Sequence, residues 1–212
     1  MRSVRVFFKK YGNIKFISHL DLNRFMIKMV RMSGIPVWYS EGFNPHPYIT
    51  FALPLSLGFE SCYEVMDIRL DDDSYPNAMV YNSLKPLMPK GIEIINCSDP
   101  VMKAGDITYA EFLVEFDEKI PEKEFIDFIS ADRIEAEKRS KKGGFKTVDL
   151  KEYIYSYSLS EQSLKLVLAA GGSNNLNPKL LLDTFCSDSV CELPTYSVTR
   201  TMMFDKDMKI FE

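Results

Sequence analysis

Histidine and tryptophan are scarce in this chain, with two histidines and one tryptophan in 212 residues. So few imidazoles exclude a metal centre built on several histidines. Four cysteines occur (Cys62, Cys97, Cys186 and Cys191), and no two are spaced C-x-x-C. The triplet C-x-x-x-C-x-x-C is also missing, which argues against a cysteine-held iron–sulfur cluster. A zinc site drawn from Cys186, Cys191, His19 and His46 has no support in their spacing. There is no run of about 18 apolar residues, so no transmembrane helix is expected. The opening MRSVRVFFKK lacks the apolar core of a secretory signal. The expectation is a cytoplasmic chain with reduced thiols, no membrane contact, and no metal or cofactor of its own.

Low hydrophobicity is not among the deficits. Hydrophobic residues make up 46% and charged residues 26%, which excludes a disordered chain. The net charge of −4 is unevenly spread. Residues 1–60 hold eight basic and three acidic side chains, whereas residues 61–135 hold seven basic and seventeen acidic ones. A basic front on an acidic body is able to attract a polyanion. A second basic cluster comprises Lys138, Arg139, Lys141, Lys142 and Lys146, around Gly143-Gly144. A flexible basic loop of that kind suits contact with backbone phosphates.

The apolar pattern predicts an α+β fold. Residues 4–17 read as strand, with Tyr11-Gly12-Asn13 as the turn of a small hairpin. Ser18 followed by Asp21 marks a helix start, and Leu22, Phe25, Met26, Met29 and Val30 recur at helical spacing. Gly34 and Pro36 end that helix. Residues 36–40 and 48–53 read as extended, 61–70 as strand, 75–87 as helix and 91–96 as strand. The order is that of a split β-α-β, or ferredoxin-like, unit. After a connector at 98–106 the same order repeats. Residues 107–117 read as strand, 121–131 as helix and 133–139 as strand; 148–160 form an extra strand or arm. The repeat ends with strand 163–170, a helix from Asn177-Pro178 and strand 196–204. The expected architecture is two tandem ferredoxin-like units with antiparallel sheets, spanning 1–100 and 101–212, the second carrying an inserted basic loop.

Residues 15–64 hold most of the chemistry-bearing side chains, including both histidines. On the first helix, Arg24, Lys28 and Arg31 fall on one stripe. In Tyr39-Ser40-Glu41-Gly42-Phe43-Asn44-Pro45-His46-Pro47 the two flanking prolines stiffen the loop. The candidate ligand or partner face is therefore His19, Asp21, Arg24, Lys28, Arg31, Tyr39, Glu41, Phe43, Asn44 and His46. No nucleophile–base–orienter set can be read from these residues. Whether His19 and His46 meet depends on where the chain folds back.

The segments Lys15-Phe16-Ile17-Ser18-His19-Leu20-Asp21-Leu22, Ser40-Glu41-Gly42-Phe43-Asn44-Pro45-His46-Pro47 and Phe51-Ala52-Leu53-Pro54-Leu55-Ser56-Leu57-Gly58, with Glu60 and Glu64, resemble the radical SAM-linked protein family. Weaker echoes lie in Val148-Asp149-Leu150 and Thr199-Arg200-Thr201. Asn177-Pro178 stands where that family's pattern has Arg-Pro. The resemblance implies a context more than an activity: together with the segregated charge, it leads to the expectation of an accessory protein that works with a radical SAM partner and binds or presents an RNA or protein substrate. The iron–sulfur cluster and SAM would then sit on the partner alone. Tandem ferredoxin-like units also build histidine-dependent RAMP-type ribonucleases, so a metal-independent ribonuclease is one alternative. A protein-interaction module without nucleic acid is the other.

Overall fold

Val4, Val6 and Phe8 alternate with Arg5 and Phe7, and this period of two forms strand β1 (Ser3–Lys10). The computed structural model describes residues 1–139, 143–172, 174–189 and 192–212. Lys141, Lys142 and Cys191 lie outside the described residues. The fold is mixed α+β, with four α-helices among the described residues. The chain divides into two compact units, Met1–Ile107 with Ile210–Glu212, and Thr108–Lys209.

In the first unit, β1 pairs antiparallel with β3 (Glu60–Arg69) and with β4 (Ile92–Ser98). The short β2 (Ile49–Phe51) lies on the far side of β3. The lateral order is β4-β1-β3-β2. Helix α1 (His19–Met32) starts where the sequence predicts, with the Ser18 hydroxyl accepting from the Asp21 N–H at 3.1 Å. Its buried stripe of Leu22, Met26 and Val30 joins Val80 and Leu84 of α2 (Asn77–Leu84) on Val4, Val6 and Phe8. Ile68, Leu70, Ile92 and Ile94 complete this core.

Residues 4–17 do not make a hairpin. β1 ends at Lys10, and Gly12–Phe16 forms a 3-10 turn. The donors that would close a hairpin are taken elsewhere. Tyr11 N–H donates to Gly91 O at 2.9 Å, and Gly12 N–H donates to the Glu60 carboxylate at 3.1 Å.

The second unit runs β5 (Tyr109–Phe116), α3 (Glu122–Ser130), β6 (Glu135–Arg139), β7 (Phe145–Asp149), β8 (Ile154–Leu159), β9 (Ser163–Ala169), α4 (Pro178–Ser189) and β10 (Tyr196–Phe204). β5 pairs antiparallel with β10 and β9, and β8 pairs with β9, giving the order β10-β5-β9-β8. Phe125 and Phe128 of α3 pack edge-on against Phe185 of α4. Leu164, Leu166, Leu168 and Val114 of the sheet are buried in the same unit.

Residues 133–139 are read from the sequence as the second strand of the main sheet. Instead β6 pairs with β7 in a separate two-stranded sheet, with Glu135 opposite Asp149 and Lys138 opposite Lys146. The place beside β9 belongs to β8, a strand within the stretch 148–160 read as an extra strand or arm. The misreading has a physical cause. β8 is an edge strand of Tyr and Ser residues, largely exposed, and it carries little of the apolar signal that marks buried strands. No helix among the described residues is long and apolar enough to cross a membrane.

Candidate functional site

Two of the conspicuous sequence segments meet at the start of α1. Lys15 O accepts from Gly58 N–H at 2.9 Å, and Lys15 Nζ lies 3.6 Å from Glu60 Oε1. The His19 ring packs edge-on against Phe51, with ring centres 5.0 Å apart. Lys10, only 2% exposed, reaches toward Lys15 O at 3.4 Å and Ile17 O at 3.5 Å. Glu64 of β3 is equally buried. Residues 15–22 and 51–60 thus form one corner, tied by the Gly58–Lys15 backbone bond, the Lys15–Glu60 ion pair and the His19–Phe51 ring contact. Sequence reasoning missed Lys10. The available signal was a lysine closing an apolar strand, where a surface lysine is the ordinary reading.

Asp21 acts first on the helix itself. Its carboxylate accepts from the Ser18 hydroxyl at 2.7 Å and lies 3.4 Å from Arg24 Nη1. Arg24, Lys28 and Arg31 are all exposed along the outer face of α1. Among the described residues, no carboxylate lies within 4 Å of Lys28 or Arg31. This stripe is therefore a row of cations facing solvent, with one partial counter-charge at Asp21.

The third segment forms a projecting ribbon of its own. Tyr39 bridges Pro47, and Tyr48 N–H donates to Trp38 O at 2.9 Å. The Ser40 hydroxyl sits 3.1 Å from His46 Nδ1, and Ser40 N–H donates to His46 O at 2.9 Å. His46 Nδ1 also lies 3.1 Å from Asn44 O. The Arg69 guanidinium of β3 stacks 4.8 Å from the Trp38 ring centre and 5.9 Å from that of Tyr48. Glu41, Asn44 and His46 are exposed at the tip, and Phe43 is fully exposed. Tyr39 is partly exposed on the flank.

The two histidines hold separate local roles. His19 contacts Phe51 beside the first helical turn, and His46 braces the ribbon through Ser40 and Asn44. No hydrogen bond joins them among the described residues. Among the described residues there is also no group of three or more His, Cys, Asp or Glu side chains placed to hold a metal ion. Of the second basic cluster, Lys138 and Arg139 lie on β6 and Lys146 on β7.

Two groups in the first unit have strongly displaced ionisation. Burial pushes the Tyr63 hydroxyl up to about 12, and the nearby Glu212 adds to the shift against a smaller opposing effect of Arg5. Burial alone pushes the Cys97 thiol up to about 12, so it is a poor nucleophile at neutral pH. In the second unit, Asp149 Oδ1 accepts from Ile134 N–H and Lys151 N–H, both at 3.0 Å. The Ile134 bond is the main cause that holds this carboxylate below its ordinary range. Asp149 thereby clamps the chain entering β6 to the chain leaving β7.

The family described as "uncharacterized protein conserved in bacteria (DUF2344)" matches residues 3–178. The chain belongs to that family. The matched span holds the whole α1 corner, the ribbon and the β6–β7 hairpin, and it ends at the first residue of α4. No curated protein matches the chain.

Proposed function

We propose that this protein is an accessory RNA-binding module that holds an RNA substrate for a radical SAM partner. The observation that carries the reading is the α1 stripe, where Lys28 and Arg31 face solvent without a carboxylate within 4 Å among the described residues. Solvated, unmatched cations on one helix face suit a phosphate backbone. The ribbon in addition presents Phe43 and Tyr39 as exposed aromatic faces, on which an unpaired base can stack. The radical SAM partner rests on the sequence resemblance alone. We also read each unit as a ferredoxin-like fold. The support is the lateral order β4-β1-β3-β2 in the first unit and β10-β5-β9-β8 in the second, each alternating with two helices.

Fluorescence anisotropy with labelled tRNA and rRNA fragments tests the ligand. The expected result is binding at low salt that weakens steeply as salt rises, and that falls at least tenfold in the Lys28→Glu/Arg31→Glu double variant. No binding at low salt, or unchanged binding in the double variant, removes the RNA reading. Affinity capture from cells, with and without nuclease, tests the partner, and a capture free of any radical SAM protein removes it.

A further inference from the structure

β1 has two faces. Val4, Val6 and Phe8 face the helices, so the alternation places Arg5 and Phe7 on the opposite face of the sheet. The cations of this strand are already matched. Asp67 accepts from Arg5 Nε and Nη2 at 2.8 Å each, and Lys9 Nζ lies 3.8 Å from Glu93. The Phe7 and Tyr63 ring centres lie 5.4 Å apart. Together with Ile95 and Val101 they line a cavity of about 390 Å³. That volume is in the range of small-ligand sites, roughly 300–1,000 Å³. Ile95 and Val101 are 40% and 75% exposed, so the cavity offers aliphatic surface that a ligand can cover.

The wall of this cavity is fixed by hydrogen bonds. The Tyr63 hydroxyl donates to Phe211 O at 3.0 Å. Glu212 O accepts from Val101 N–H at 3.1 Å and from Met102 N–H at 2.7 Å. Val101 and Glu212 are thus held against each other, which keeps the ordering cost of binding low. The lining is one-sided in charge. It contains Asp99 and Glu212 and no lysine, arginine or histidine. Asp99 already accepts from Arg2 Nη1 at 2.7 Å. The Glu212 carboxylate is exposed, and it has no hydrogen bond and no cation within 4 Å among the described residues. Its charge is felt inside the cavity, where it adds to the upward displacement of the Tyr63 hydroxyl. Asn96, also exposed, adds a carboxamide to the lining.

We propose that this cavity binds a small organic cation, an ammonium group carried on an apolar body about the size of a single ring. The Glu212 carboxylate takes the ammonium group, and Tyr63, Ile95 and Val101 cover the apolar body. The charge-assisted contact orients the ligand, and burial of the aliphatic surface drives its binding. An anionic ligand would meet an unmatched carboxylate and no base. The site lies on the side of the sheet opposite to α1, so it does not rest on the RNA reading.

Titration calorimetry of the full chain with benzylamine, benzyl alcohol and benzoate at low ionic strength tests it. The expected result is saturable one-to-one binding of benzylamine. Benzyl alcohol and benzoate should bind about tenfold more weakly or not at all, tenfold being the worth of one charge-assisted contact. Glu212→Gln should bring benzylamine down to the affinity of benzyl alcohol. Val101→Lys places a cation and a longer side chain at the wall and should abolish binding. Both side chains are exposed, so an unchanged urea midpoint is expected in each variant, and the comparison of the three probes needs no variant. Binding should persist in Lys28→Glu/Arg31→Glu, which separates this site from the RNA face. Absence of saturable benzylamine binding, equal affinity for benzyl alcohol or benzoate, or equal affinity in Glu212→Gln overturns the proposal.

Discussion

Glycines of equal sequence appearance differ sharply in what surrounds them. Gly91 sits at φ +101°, and a Cβ there would meet Ile14 Cγ1 at 2.5 Å and Tyr11 O at 2.8 Å. Gly34 at φ +73° has open space around it. Gly34→Ala therefore costs about 1 kcal/mol, from backbone strain alone. Gly91→Ala adds a clash with backbone and costs more than about 2 kcal/mol; urea titrations of both variants measure the difference. Tyr63 gives a pH test. Its hydroxyl donates to Phe211 O at 3.0 Å, and its ionisation is raised from 10.0 to about 12. A raised value favours the protonated form in the folded state, so this contribution is full below pH 10 and is lost as pH rises through about 12. The urea midpoint should fall across that window, and fall less steeply in Tyr63→Phe. None of this was legible from one residue at a time. Lys10, Arg5 and Gly91 reveal their roles only through partners more than fifty residues away or packed from another element.

At the scale of elements, α1 was the most readable. Ser18, the spacing of Leu22, Met26, Met29 and Val30, and Gly34 set its start, its buried side and its end, and the structure agrees with each. Ser18→Ala removes the cap and is expected to cost about 1 kcal/mol, read as a lower melting temperature. The ribbon is expected to behave differently. Phe43 is fully exposed, so Phe43→Ala should leave the melting temperature within a degree or so while weakening RNA binding. Loss of stability together with unchanged RNA binding would show that Phe43 serves packing instead. β8 was misjudged because an edge strand needs few apolar residues. β6 was misjudged because alternation in residues 133–139 is satisfied equally by pairing in a hairpin or in the main sheet. Period identifies a strand, but not its neighbour.

At the scale of the whole molecule, the last three residues matter out of proportion to their number. Ile210–Glu212 belong to the first unit, where Phe211 is 0% exposed beneath Arg5, and Glu212 O accepts from Val101 and Met102 N–H. Phe211→Ala is expected to cost about 3–5 kcal/mol, the range for emptying a buried aromatic site. Denaturant unfolding followed through Trp38, which lies in the first unit, measures the loss.

The sequence by itself determined the α+β class, the helices, the basic front and the stiff Asn44-Pro45-His46-Pro47 loop. Each of these is a local property, fixed by side-chain spacing, capping residues and proline geometry. Only the tertiary structure decided which strands pair and that residues 15–22 join 51–60. It also decided that His19 and His46 serve different elements, and that Phe7, Tyr63 and Glu212 share one cavity. Those facts depend on contacts between distant segments, and periodicity along the chain carries no record of which distant segment a strand face will meet.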